Sequence, residues 1–289
     1  MKTFFQFKKQ RELGEIISDS FGFIRHEYKP FFSTILKICA PFILIYLGCM
    51  VFYLYAAVDM FEFNSSSRNG LFSGGIMLLS VGLFVVSAIL AYVFASASAL
   101  HYIKNYIHNN GVINESEIKQ AVYQQITGFL GLGILKWITL IIGAMLCFLP
   151  VLYLMVPMFI VFSIYVFEDK DVSDSYSYSF TLIKDEFWMT FFTLIIMYII
   201  ITIAGYAFSL PASLYSMIKI GTFSIELDPS DMSSFFDPIM ILLNIIAYFF
   251  QYVLNLVLVI SAVLVYFNLN EKKHLTGTFE QIESIGSDS

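Results

Sequence analysis

The sequence predicts an all-α fold: a polytopic membrane helical bundle of about six transmembrane helices, with amphipathic juxtamembrane helices on the cytoplasmic side. Three observations predict it. Of the residues, 58% are hydrophobic and 13% charged, against about 25% charge in soluble domains. The apolar residues gather into six long stretches that contain no Asp, Glu or Arg, and about 20 apolar residues are what a helix needs to cross a bilayer. The basic residues fall on alternate connections, as the positive-inside rule requires of a threaded chain.

Taken in order, the first span covers about Phe32–Val58 and the second about Ser73–Ala99, continuing helically toward Ile107. The third is about Ile126–Leu149, the fourth about Val151–Phe167, short and interrupted by Pro157. The fifth is about Phe187–Leu210 and the sixth about Pro238–Phe267. At 1.5 Å per residue the sixth is about 45 Å long, so it tilts or projects into water. Residues 1–30 form a cytoplasmic N-terminal amphipathic segment, 31–268 the six-span domain and 269–289 a cytoplasmic tail. The N-terminus lacks the apolar core of a secretory signal, so the first span is expected to persist as an anchor.

One side of the membrane would hold Lys2, Lys8, Lys9, Arg11, Arg25 and Lys29, then Lys104, Lys119, Lys170 and Lys184, then Lys272 and Lys273. Only Arg68 and Lys219 would face the other side. Both termini are therefore expected in the cytoplasm, in a bacterial cytoplasmic (inner) membrane. Lys37 and Lys136 lie just inside the ends of spans one and three and are expected to snorkel to the headgroups.

Ser20-Phe21-Gly22-Phe23-Ile24-Arg25-His26-Glu27-Tyr28 before span one aligns without gaps with Ser179-Phe180-Thr181-Leu182-Ile183-Lys184-Asp185-Glu186-Phe187 before span five. A weaker copy, Ser116-Glu117-Ile118-Lys119, precedes span three. The chain thus reads as three parallel units, each a juxtamembrane helix followed by a membrane hairpin. In the first, Leu13, Ile16, Ile17, Phe21 and Ile24 recur at helical spacing and predict an interfacial helix.

Asn244, Gln251 and Asn255 lie within about 20° of one face of span six. Unpaired amides are costly in lipid, so this face should point into the protein, for hydrogen bonding between helices or for lining a polar cavity. Span two carries a seam of small residues, Ser73, Ser80, Ser87, Ala91 and Ser98, with Gly75 and Gly82 alongside. Small residues let helices approach closely, and the seam is expected to pack on span six. Pro41 and Pro157 are the candidate kinks. An acidic loop carries Glu226, Asp228, Asp231 and Asp237 and is expected to be solvated.

Cys39, Cys49 and Cys147 lie in apolar stretches at no metal-like spacing, and the four histidines form no ligand cluster. There is no glycine-rich phosphate loop, no nucleophile elbow and no carboxylate pair within a span. No catalytic residue, cofactor, metal or nucleic-acid partner is therefore assigned; the expected partners are the lipid bilayer and a membrane protein, in an oligomeric state that the sequence leaves open.

The segment Val166-Phe167-Glu168-Asp169-Lys170-Asp171-Val172-Ser173, running on to Ser179-Phe180-Thr181-Leu182-Ile183-Lys184, resembles the bacterial glycerophosphodiester phosphodiesterase membrane-domain-like family and related multi-pass proteins. There a span ends in an acidic residue, and a short helix with a Ser-x-x-Leu-hydrophobic-basic pattern leads into an aromatic-rich span. Leu13-Gly14-Glu15-Ile16-Ile17 with Ser20-Phe21 is similar to the family's opening, and Pro150 and Pro157 fit its pattern. The resemblance implies a multi-span architecture. The His-Arg pair and metal-binding carboxylates of a linked phosphodiesterase domain are not found, so no catalytic activity is implied. The expected function is a non-catalytic accessory or scaffold component of a membrane complex. The alternative is a transporter or lipid-handling protein built around the polar face of span six.

Overall fold

The computed structural model describes residues 4–62, 70–146, 148–223, 238–277 and 279. Among them are seven helices: α1 (Leu13–Glu62), α2 (Gly70–His108), α3 (Glu115–Leu146), α4 (Phe148–Phe167), α5 (Val172–Ile183), α6 (Phe187–Phe223) and α7 (Pro238–His274). All but the short α5 are long and apolar enough to cross a membrane, so the chain is a multi-pass, all-α membrane bundle. The acidic loop of Glu226, Asp228, Asp231 and Asp237 lies outside the described residues, as do Arg68, Cys147 and the side chain of Ser73.

The fold divides into two compact units. The first is built from Met1–Ile38, Val93–Ile200 and Leu256–Ser289, the second from Cys39–Tyr92 and Ile201–Asn255. In the first unit α7 is the axis: every residue from Val259 to Glu271 is buried. A helix that is buried all round, with an apolar surface on every side, is the mark of a bundle centre. Ser20 of α1 meets it through a hydroxyl pair with Ser261 at 2.8 Å, and α4 meets it where Phe167 stacks on Tyr266. α3, α4 and α5 pack on one another. The Gly128 position of α3 lies so close to Tyr165 of α4 that a Cβ would overlap the phenol ring. The second unit centres on stacked rings: Tyr46 and Tyr53 of α1 both lie parallel to Phe84 of α2, and Phe208 of α6 stacks on Phe250 of α7 at 4.1 Å.

Two of the three aligned segments share backbone and burial features. α1 departs from helical geometry at Glu27 (φ −116°, ψ 18°). Pro30 is the cause, because it has no N–H to offer the carbonyl of His26. The aligned Glu186 sits in the turn between α5 and α6. Burial follows the same register: Ser20 and Ser179, Phe23 and Leu182, and Thr34 and Thr193 are buried at matching positions. The third copy lacks these features, since α3 runs unbroken from Glu115 and Ser116 is exposed. Asn114 caps that helix instead, its side-chain oxygen accepting from the backbone N–H of Ser116 at 3.2 Å.

The structure adds several details. The first juxtamembrane helix buries Ile16, Ser20, Phe23 and Glu27, whereas Ile17, Phe21 and Ile24 are half-buried. The polar Ser20 defines the inner stripe, which an apolar periodicity cannot register. At Pro41 the backbone stays helical, and the interruption in α1 falls at Glu27. α4 likewise continues through Pro157 as a single helix. α6 does not stop at Leu210 but passes Pro211 and reaches Phe223. The hydroxyls of Ser209, Ser213 and Ser216 donate to helix carbonyls around that proline, the kind of local help that makes proline tolerable in membrane helices.

The Ser20–Ser261 pair is fully buried, and the Ser20 hydroxyl also bonds the carbonyl of Ile16 at 2.7 Å, so a double-mutant cycle is what separates the worth of the pair. In a double-mutant cycle of Ser20→Ala and Ser261→Ala, thermal unfolding in detergent is expected to give a coupling of about 0.6–1.5 kcal/mol.

Candidate functional site

The polar end of the first unit is organised by the segment that precedes α1. Arg11 has a fully buried side chain. Its Nε donates to Asp19 at 2.8 Å, one terminal nitrogen donates to the carbonyls of Phe7 (2.6 Å) and Lys9, and the other to the carbonyl of Gln6. A planar guanidinium with five donors suits such a curl of carbonyls. Burial pulls the Arg11 guanidinium down from its ordinary value and Asp19 partly opposes it; it remains a cation at any physiological pH. The backbone N–H of Arg11 donates to Asn268 of α7 at 2.7 Å. Residues 4–11 are thereby fastened across the ends of α2 and α7. Phe4 stacks on Tyr106, the Phe5 N–H donates to the Tyr106 hydroxyl at 3.0 Å, and Phe7 contacts Phe23 and Phe267 edge-on or tilted.

Behind this segment lies a cavity of about 970 Å³. Its walls come from the N-terminal segment, the end of α2, the start of α3, the α4 terminus, and α7 with the turn that follows. That turn closes tightly. Leu275 takes a left-handed conformation (φ 54°), and the buried Glu271 carboxylate accepts from the Thr276 hydroxyl at 2.6 Å and the Gly277 N–H at 2.5 Å. Gly277 comes so near Lys8 that an added Cβ would lie 2.7 Å from the lysine Cβ. The N-terminal segment and the post-α7 turn therefore meet at one edge of the cavity.

Charged groups in the walls are engaged. Lys104 donates to Asp169 at 2.6 Å and to the carbonyl of Val166 at 2.7 Å. Glu117 accepts from Asn105 and Asn114. Glu168 accepts from Lys170 at 2.9 Å and from the Tyr266 hydroxyl at 2.7 Å. Burial pushes the Glu168 carboxyl up, but the Lys170 and Tyr266 hydrogen bonds and the Lys170 charge outweigh it and hold the group below its ordinary value. Two wall atoms are buried without a hydrogen bond: Nε2 of His101 and Oε1 of Gln125.

The sequence-predicted polar face lies in the second unit and is half-buried at Asn244, Gln251 and Asn255. Asn244 donates to the carbonyl of Met240 in its own helix at 2.9 Å. The Gln251 amide oxygen rests on Gly205 of α6, where any Cβ would collide with it. Along the small-residue seam, Ser80, Ser87, Ala91 and Ser98 are buried. Ser80 and Ser87 bond back to their own helix, and the Tyr252 hydroxyl of α7 donates to the Ala91 carbonyl at 3.3 Å. Gly75 and Gly82 have open space where a side chain would be, so they are not close-approach positions. Lys37 reaches Glu115 of α3 at 2.8 Å and Lys136 lies over the Phe162 ring. No group of three or more potential metal ligands occurs among the described residues.

No family model, curated protein or solved structure matches the chain.

Sequence reasoning counted Arg11 only as a basic charge and did not group the cavity residues. The available signal was a lone Arg two residues before an amphipathic helix, with an acid eight residues later at Asp19. Replacing Arg11 by Met leaves Asp19 with Lys9 alone, at 3.1 Å, and several carbonyls without donors. About 3 kcal/mol of stability is expected to be lost, and proteolysis within residues 4–11 should become much faster. Glu168 supplies a pH signature. Its folded value is depressed, so its contribution is complete above the ordinary carboxylate value of 4.5 and is lost as pH falls through the lower folded value. Glu168→Gln is expected to flatten the acid limb of a stability–pH curve while leaving the neutral region nearly level.

Proposed function

We propose that the chain is a non-catalytic component of the cytoplasmic (inner) membrane, with both termini on the cytoplasmic side, serving a membrane complex as an accessory or scaffold protein. The observation that carries this reading is the build of the juxtamembrane helices. α5 buries Ser175, Ser179, Leu182 and Ile183 and turns Ser173, Asp174, Ser177 and Thr181 outward. The start of α1 likewise buries Ile16 and Ser20 and exposes Glu15 and Ser18. Each helix is held by a narrow packed stripe and offers a polar face, the arrangement of a docking platform rather than of a lipid anchor, which would carry a broad apolar face and a basic one. The layout resembles the glycerophosphodiester phosphodiesterase membrane-domain-like family, in some members of which the membrane region precedes a catalytic domain that is not found in this sequence.

A second reading, transport or lipid handling, is favoured by the 970 Å³ cavity with its mixed apolar and polar walls. The two part on one experiment. Purification from native membranes in nanodiscs is expected to bring down a stoichiometric membrane-protein partner. Asp174→Lys with Ser177→Lys should reduce its recovery about tenfold, the loss that about 1.4 kcal/mol of binding produces. Protein alone moving a solute or lipid across liposomes would sink the accessory reading in favour of the second.

A further inference from the structure

We infer that the corner of α1 at Arg25, Tyr28 and Lys29 is a binding site for the phosphate head of an anionic phospholipid. The site stands apart from both functional readings, since the polar face at Glu15 and Ser18 lies about two helical turns ahead of it.

Charge singles this corner out. Lys9, Lys37, Lys104, Lys170 and Lys272 each stand 3.1 Å or less from a carboxylate. Among the described residues, Arg25, Lys29, Lys119 and Lys184 are exposed and form neither an ion pair nor a side-chain hydrogen bond. Arg25 and Lys184 hold the same register in the two aligned segments. Lys184, however, has the exposed Asp185 beside it, and Lys119 follows the acidic first turn of α3. At the α1 corner the neighbouring acid is withdrawn: the Glu27 side chain is buried and lies 3.0 Å from His26 Nδ1. Two cations four positions apart are left on the outside with no carboxylate of the protein to pair with them.

The surroundings name the partner. No charged residue falls between Lys29 and Lys37, so the corner sits at the mouth of an apolar span. Tyr28 is exposed, and the Lys29 ammonium lies 5.7 Å from its ring centre. Exposed rings also follow the other free cations by four residues, Tyr123 after Lys119 and Trp188 after Lys184. An aromatic ring at the start of an apolar span belongs at the level of the lipid headgroups. At that level a guanidinium can hold a phosphate through two N–H donors, and an ammonium adds a second positive charge. A zwitterionic lipid carries the same phosphate but cancels it with its own cation. An anionic lipid keeps a net charge that both side chains attract.

The test uses the full chain in phosphatidylcholine nanodiscs carrying a trace of photoreactive phosphatidylglycerol or of photoreactive phosphatidylcholine with the same acyl chains. After illumination, labelled residues are mapped by mass spectrometry. Phosphatidylglycerol is expected to label residues 21–37 at least about tenfold more than phosphatidylcholine does, saturably and in competition with unlabelled phosphatidylglycerol. Arg25→Gln with Lys29→Gln should abolish that excess, whereas Arg25→Lys with Lys29→Arg, which keeps both charges, should retain it. Lys37→Gln with Glu115→Gln removes a paired cation from the same helix and should leave the excess unchanged. Thermal unfolding reports whether each variant folds; if the double glutamine variant does not, Lys29→Gln alone is read, with a loss of about threefold expected. Equal labelling by the two lipids, an excess that survives the glutamine substitutions, an equal loss in the Lys37 and Glu115 variant, or displacement of the lipid by free glycerol phosphate would each overturn the inference.

Discussion

One buried guanidinium holds the polar end of this protein together. Arg11 gathers the carbonyls of Gln6, Phe7 and Lys9 and the carboxylate of Asp19, while its own backbone N–H is fixed by Asn268. The energetic logic is asymmetric. The formed network returns only a modest net gain, because every group in it had to leave water, whereas loss of one member strands several others. The segment before α1 has few alternatives once Arg11 is placed. That is why Phe4 and Phe7 can serve as walls of a cavity although they precede any regular element.

Much of the architecture was legible because membranes impose a length and a composition. Stretches such as Phe32–Val58 and Pro238–Phe267 can be read by eye, and each falls within a helix of the structure. The alignment of Ser20–Tyr28 with Ser179–Phe187 was visible too, and the backbone adds that the aligned glutamates mark the interruptions. What resisted reading was anything decided by tertiary packing. Proline is locally unfavourable to a helix, yet Pro41, Pro157 and Pro211 lie within continuous helices. The inner stripe of the first juxtamembrane helix runs through a serine and a glutamate, which no hydrophobic periodicity would select.

Site residues were legible only in part. Asn244, Gln251 and Asn255 share a face by spacing alone, but whether an amide satisfies itself, as Asn244 does against Met240, depends on rotamers and not on register. The cavity shows the opposite difficulty. Its members come from sequence positions as distant as Phe4 and Gly277 and share no motif; only the convergence of several helix ends makes them a group. Glycines illustrate the same point: Gly75 and Gly82 stand in a conspicuous repeat and face open space, whereas Gly128, Gly143, Gly205 and Gly277, which stand in none, are close approaches.

The central position of α7 bears on how the chain is made. A ribosome delivers α1 long before α7, and membrane helices enter the bilayer in order of synthesis. Throughout that interval Ser20 has no Ser261 and the N–H of Arg11 has no Asn268. The first unit therefore has no axis to close around until α7 emerges, and it waits as a set of separately stable helices. Assembly of the first unit is a late event in which residues at the start of α1 and just before it find their partners in a helix translated long after them.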